Sequence, residues 1–237
     1  MFETIKMPVL VQNKQDTLLP KDTFTSSFTL TYILLITTGT ITLIEALRAK
    51  DPLVRHIFNL ETVISVIAGY FYSSFVEKIK TTPLDKIDWA DLSKTRYIDW
   101  SITTPIMLVV LMIALGQHIH TKPSLLTYGI VLILNYVMLY CGYAGENGII
   151  SRTTGLYGGF VAFFIMFYII FHQLVQPNYV LFNVVLFSFF FIVWSMYGIV
   201  YKLDNRRKNI SLNILDLISK CFVGIGLWVY FTGIFDV

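Results

Sequence analysis

The chain has 237 residues, of which 55% are hydrophobic and 14% charged, with a formal net charge of +3 and a mean hydropathy of +0.66. Those values exclude an ordinary soluble domain and place the chain among integral, multi-pass membrane proteins. A spanning helix needs about 20 consecutive, mostly apolar residues. Seven such runs fill the sequence, roughly 27–47, 56–76, 96–116, 124–144, 153–173, 179–201 and 210–234. The expected fold is therefore an all-α membrane protein, a seven-transmembrane helix bundle.

Residues 1–26 are polar and read as an N-terminal tail, with the transmembrane domain over 27–237. The tail lacks the apolar run of a secretory signal, so the first helix is expected to serve as its own insertion signal. That helix ends with Glu45 near its boundary, and Asp51-Pro52 marks the first turn. Helix two carries Glu61 and Tyr72. The connection from Glu77 to Thr95 is charged and long enough for a small hairpin. Pro123 and Pro177 stand just before helices four and six, and His118 and His120 read as surface histidines after helix three. Cys141 and Cys221 fall inside predicted helices, where two buried thiols without a disulfide are expected. The short connections and the lack of an internal repeat argue for one compact bundle.

Seven spans put the termini on opposite sides. Twelve basic residues fall on the N-terminal side (Lys6, Lys14, Lys21, Lys78, Lys80, Lys86, Lys94, Arg152, Lys202, Arg206, Arg207, Lys208). Four fall on the other (Arg48, Lys50, Arg55, Lys122), a bias that makes the N-terminal side cytoplasmic by the positive-inside rule.

Ionisable groups inside a span cost about 2.5–3.5 kcal/mol each on insertion scales, so they face the bundle interior with a partner. In helix seven, Asp216 and Lys220 stand at i, i+4 and stack on one face. Alone, the pair reads equally well as a buried ion pair. In helix three, Arg96, Asp99, Trp100, Thr103 and Met107 form a continuous stripe at i, i+3, i+4, i+7 and i+11. In helix six, Trp194, Tyr197 and Tyr201 repeat at i, i+3, i+7. The three stripes together describe a slot with aromatic walls and one buried amine at its end, flanked by two carboxylates. Such a slot suits a long conjugated ligand held by a lysine.

Arg96-Tyr97-x-Asp99-Trp100-x-x-Thr103-Thr104-Pro105, Trp194-Ser195-x-Tyr197 and Asp216-x-x-x-Lys220 together resemble the microbial (type I) rhodopsins, with a viral or protist member expected. The likeness extends over all seven spans. It implies all-trans retinal bound covalently to Lys220 as a protonated Schiff base. Asp99 is implied as primary counterion and proton acceptor, Asp216 as second counterion, and Arg96 as the group that balances them and gates release. Trp100 and Trp194 are implied as plates around the polyene, with Tyr97, Thr104, Tyr197, Tyr201 and Ser219 in the wall and Met107 tuning colour toward green. Tyr72 is similar to the tyrosine that hydrogen-bonds the second counterion, and Asn135, Met138 and Gly142 resemble the ring end of the pocket. Thr103, one turn after Asp99, is positioned to hydrogen-bond its carboxylate.

The helix-three triplet is Asp99, Thr103, Val110, which keeps the acceptor of a proton pump and replaces the carboxylic donor with valine. Glu61 is the candidate donor. The connection before helix seven, K-L-D-N-R-R-K-N, offers only Asp204 where several pumps carry paired glutamates, so late release from Asp99 is expected. Gly198 stands where a proline is frequent, and helix five offers Gly155, Gly158 and Gly159 in place of a tryptophan. The first reading is a light-driven proton pump moving H+ toward the N-terminal side, which is outward in the family's usual orientation and inward by the basic-residue count. The alternatives are a light-gated ion channel and a sensory rhodopsin with a slow photocycle. Protons and the lipid bilayer of a plasma or host cell membrane are the expected partners, a homo-oligomer (trimer or pentamer) is implied by the resemblance, and neither nucleic acid nor metal is expected. The protein is not expected to be an enzyme.

Overall fold

The computed structural model describes residues 21–234. Within them the chain forms seven helices: α1 (Lys21–Arg48), α2 (Pro52–Thr81), α3 (Trp89–His118), α4 (Leu125–Glu146), α5 (Arg152–Leu174), α6 (Leu181–Val200) and α7 (Asn205–Thr232). Six are long and apolar enough to cross a membrane; α2, diluted by Arg55, Glu61, Glu77, Lys78 and Lys80, is the seventh. Its 30 residues reach about 45 Å at 1.5 Å per residue, and it packs between α1 and α3 as an equal member of the bundle. Consecutive helices pack side by side, and α1 closes the ring against α7.

Local signals set most of the boundaries. Asp51 caps α2, accepting from Leu53 N at 2.7 Å with Pro52 in the first helical position. Asp88, Ser124, Ser151 and Asp204 cap α3, α4, α5 and α7 through their side-chain oxygens. Gly148, at φ 71°, turns the chain out of α4, a conformation that penalises any Cβ. In α1 the hydroxyls of Thr29, Thr31, Thr37, Thr40 and Thr42 bond back to the carbonyls four residues earlier, as Thr31 does to Ser27 at 2.9 Å. That satisfies their donors where no water is at hand.

Three boundaries differ from the expected ones. The connection expected from Glu77 to Thr95, long enough for a small hairpin, is largely helix: α2 runs to Thr81, α3 starts at Trp89, and a 3-10 turn (Leu84–Lys86) lies in the link. Asp88 caps the new helix start, and an ion pair between Lys78 and Asp91 ties the two ends together. α1 is already helical at Lys21, so the end of the expected 1–26 tail belongs to it, while residues 1–20 lie outside the described residues. α7 begins at Asn205, because Asp204 supplies a cap that draws Arg206 to Asn209 out of the expected loop.

The bundle sets a few charged side chains within an apolar core and turns further apolar side chains outward. Leu30, Ile33, Ile44, Ile133, Phe164 and Ile192 are exposed to the lipid zone, whereas Arg96, Asp99, Asp216 and Lys220 are each at most 2% exposed. Packing between lipid-exposed helices depends on close approach more than on hydrophobicity. On the α4–α5 contact, a Cβ on Gly155 would lie 2.5 Å from the Cys141 carbonyl oxygen and 3.2 Å from Gly145 Cα, so only glycine permits the approach. Cys141 and Cys221 are free thiols; Cys221 is buried as expected, whereas Cys141 is only partly buried. His118 ends α3 and packs on Phe182 at 4.4 Å between ring centroids, a half-buried aromatic contact in place of the surface position expected for it.

Candidate functional site

The helix-three stripe is real and faces inward: Arg96, Asp99, Trp100, Thr103, Thr104 and Met107 are all buried. Opposite it, α7 passes through a π-helical segment, Leu217–Phe222, that contains Ser219 and Lys220. The sequence predicted an uninterrupted α-helix there. The wider turn still leaves Asp216 and Lys220 within reach, with Nζ 3.6 Å from Asp216 Oδ2. The nearer carboxylate belongs to the other helix, as Lys220 Nζ donates to Asp99 Oδ2 at 2.9 Å.

The two carboxylates have unequal surroundings. Asp216 Oδ2 accepts from Tyr72 at 2.8 Å and from Arg96 at 3.3 Å; its Oδ1 accepts from Tyr197 at 2.8 Å and Trp100 Nε1 at 3.2 Å. Asp99 has Lys220 on one oxygen and only a long 3.4 Å contact from Thr103 Oγ1 on the other; the Thr103 hydroxyl is closer to the Asp99 carbonyl, at 2.9 Å. Asp216 is thus saturated by four side-chain donors, while Asp99 keeps an oxygen with lone pairs to spare. Arg96 is fixed by Tyr72 at 3.0 Å, Asn213 at 2.9 Å and Asn209 at 3.2 Å.

Lys220 and Asp216 line a cavity whose walls are mostly apolar, the kind of concave site that holds a small molecule. Its walls include Trp100, Met107, Trp194 and Tyr197, with Tyr97 and Thr104 beside them and Met138, Gly142, Gly155 and Gly159 at the far side. Gly142 makes room for a neighbour there: a Cβ would lie 2.6 Å from the Tyr97 hydroxyl, so the tyrosine would have to shift. Asn135 and Tyr72 stand one layer behind the lining. Asn135 pairs with Thr104 at 2.9 Å, and Tyr72 holds Asp216. Tyr197 also shares a hydrogen bond with Ser219 at 2.9 Å, and Tyr201 closes the α6 end, donating to the Gly142 carbonyl at 3.3 Å. Gly198 faces the Phe160 ring, which takes the space that a larger residue would need.

Glu61 lies elsewhere. It is 2% exposed, at the α1–α2–α7 seam, where a Cβ on Gly224 would be 3.1 Å from its Oε2 and 2.9 Å from Thr38 Cγ2. The Ser65 hydroxyl, one turn along α2, is buried without a hydrogen-bond partner among the described residues, while Thr38 meets the Cys221 side chain. Glu45 is only partly buried.

Sequence reasoning missed Asn209 and Asn213, the amides that hold Arg96, although 209, 213, 216 and 220 continue one face of α7. It also missed Ser93, Glu146 and Lys208, which line the cavity's end near the start of α3. As helix-end residues they carried no periodic signal.

A ring of seven membrane helices around a buried lysine, two buried carboxylates and an aromatic-walled cavity defines the class of retinal-binding membrane photoreceptors. The family model described as bacteriorhodopsin-like protein matches residues 23–234, and the chain belongs to that family of microbial, type I rhodopsins. The viral rhodopsin OLPVRII is 43% identical in a crystal structure covering 89% of this chain and 98% of its own, with a TM-score of 0.83. The proton pumping rhodopsin AR2 from the marine alga Acetabularia acetabulum is 18% identical, covering 92% of this chain and 99% of its own, with a TM-score of 0.73. The light-driven proton pump LR (Mac) from Leptosphaeria maculans is 15% identical over 90% of this chain and 97% of its own, with a TM-score of 0.72, and shares the fold. No curated protein matches the chain. The protein is accordingly an integral, multi-pass retinal photoreceptor and not an enzyme.

Proposed function

We propose that the protein is a light-driven proton pump, with all-trans retinal joined to Lys220 Nζ as a protonated Schiff base. The cavity supports the fit, being long, largely apolar and ended by a buried amine between carboxylates. Trp100, Trp194 and Met107 would hold the chain of double bonds, and Tyr97, Thr104, Met138 and Gly142 the space beyond. When bound, retinal supplies light absorption and an isomerisation that turns the N–H bond at Nζ.

The rest is work for the protein's own side chains. The observation that carries the reading is the inequality of the two carboxylates. Asp216, held by Tyr72, Tyr197, Trp100 and Arg96, is a fixed anion that keeps the Nζ cation in place. Asp99, 2.9 Å from Nζ and less committed, is the group that takes the proton, which then occupies an Asp99 oxygen with Thr103 beside it. Arg96 stands between both carboxylates and the N-terminal side, where it bars return and directs release. Nζ then regains a proton from the opposite half of the bundle, where Val110 occupies the usual donor position and Glu61 is the nearest candidate. The unpartnered Ser65 hydroxyl one turn from Glu61 favours bound water there and supports that role.

A polar α1–α2–α7 seam is also what a light-gated channel would use, and this is the second reading. Voltage clamp of cells expressing the full chain with retinal separates them. The pump gives a light current of one sign at all voltages, directed toward the N-terminal side; a current that reverses with the ion gradient overturns it in favour of the channel.

A further inference from the structure

Three helices meet at the N-terminal-side end of the cavity. Glu146 ends α4, Ser93 lies near the start of α3, and Lys208 lies in the first turn of α7. Lys208 Nζ donates to Glu146 Oε1 at 2.9 Å, and Ser93 Oγ donates to Glu146 Oε2 at 2.5 Å. The ion pair is enclosed, with its side chains 6% and 9% exposed. Enclosing such a pair costs desolvation that a helix end in the headgroup zone could avoid by pointing it outward. The three side chains line the same cavity as Arg96, Asp216 and Lys220. Arg96 lines that cavity, and its Nε is buried with no partner among the described residues, which favours a bound water molecule at Arg96. Tyr97, Tyr201 and Arg152 are the other titratable or charged groups nearby, and Arg152 is turned onto the Tyr201 carbonyl at 2.7 Å.

We infer that Glu146 is the release-side relay: it takes the proton that leaves Asp99 and passes it to solvent on the N-terminal side. The inference rests on the pump reading. In the first transfer an O–H bond on Asp99 breaks and one forms on a Glu146 oxygen, through water beside Arg96, and Asp99 returns to a carboxylate. In the second, the Glu146 O–H bond breaks and solvent water takes the proton. Lys208 and Ser93 position the carboxylate by holding one oxygen each. Glu146 thereby fills the place left by the short connection before α7, which carries Asp204 alone.

The test uses the full chain with retinal in lipid vesicles, a flash, and a pH-sensitive dye on the N-terminal side. Glu146→Gln preserves shape and removes the proton-accepting oxygen. It should delay proton appearance by about tenfold, Glu146→Asp should recover part of the rate, and azide, a small diffusible proton carrier, should restore it in Glu146→Gln. Release on the wild-type schedule overturns the inference, and so does a delay that azide leaves untouched, which is the mark of a purely structural clasp. Should Glu146→Gln form no pigment, Ser93→Ala decides instead: a delay of about threefold supports the relay, and unchanged timing overturns it. A wild-type chain that moves no proton overturns the pump reading and the relay with it, whereas a pumping wild type with an indifferent Glu146→Gln overturns the relay alone.

Discussion

Asp99 and Asp216 flank one amine, yet their neighbours give them different chemistry. Four donors on Asp216 make it costly to protonate, because a neutral acid there would leave Tyr72, Tyr197, Trp100 and Arg96 bonding to a weaker acceptor. Asp99 loses far less. Asp99→Asn should therefore keep the pigment, abolish the pump current, and shift the absorption maximum to longer wavelength, since one anion fewer leaves the positive charge freer to spread along the chromophore; absorption spectra and photocurrents check both. An Asp99→Asn current equal to wild type contradicts the assignment. The residues of this site were legible in the sequence where helical periodicity brought charge into an apolar run, as at Arg96, Asp99, Asp216 and Lys220. Asn209 and Asn213 were not, because amides next to the basic segment 202–208 look like loop residues until the Asp204 cap shows that the helix has already begun.

At the scale of elements, the polar contacts of α7 change along its length. Its first turns hold Arg96 through amides, its π segment presents Lys220, and its second half meets α1 and α2 at Gly224. The existence of seven helices was legible from apolar runs, whereas their ends were not, since α2, α3 and α7 extend into charged sequence that hydropathy assigns to loops. Caps and headgroup-zone ion pairs, such as Lys78 with Asp91, carry the helices past the apolar boundary. The π segment left no trace in composition. The seam at Gly224 gives a test of the donor: Glu61→Gln should slow recovery of the dark pigment several-fold. Gly224→Val should slow it too, because its Cβ would sit 3.1 Å from Glu61 Oε2 and 2.9 Å from Thr38 Cγ2 and must push the carboxylate aside. Flash absorption spectroscopy reads both variants. Wild-type recovery in Glu61→Gln removes Glu61 from the pathway, and a slow Gly224→Val with a normal Glu61→Gln assigns the effect to packing alone.

The whole molecule turns apolar surface outward and lines a cavity with residues of α3, α4, α5, α6 and α7. Aromatic and methionine side chains on such walls lack partner atoms on one side unless a ligand fills the space. Chromophore that binds only the folded bundle adds its binding free energy to stability, about 2.7 kcal/mol when present at a hundredfold excess over its dissociation constant, and more when a covalent bond prevents its escape. For a chain of this length each kcal/mol is worth about 2–4 °C, so the pigment should unfold on the order of 5–10 °C above the retinal-free protein. Lys220→Ala tests which part of that gain needs the covalent link. Without the amine, added retinal can only lodge among Trp100, Trp194 and Met107, so the variant should stay without the shifted visible band and recover only part of the thermal shift. Circular dichroism melts of both proteins, with and without retinal, check this. A wild-type melting temperature indifferent to retinal would mean that the cavity is not where the chromophore binds.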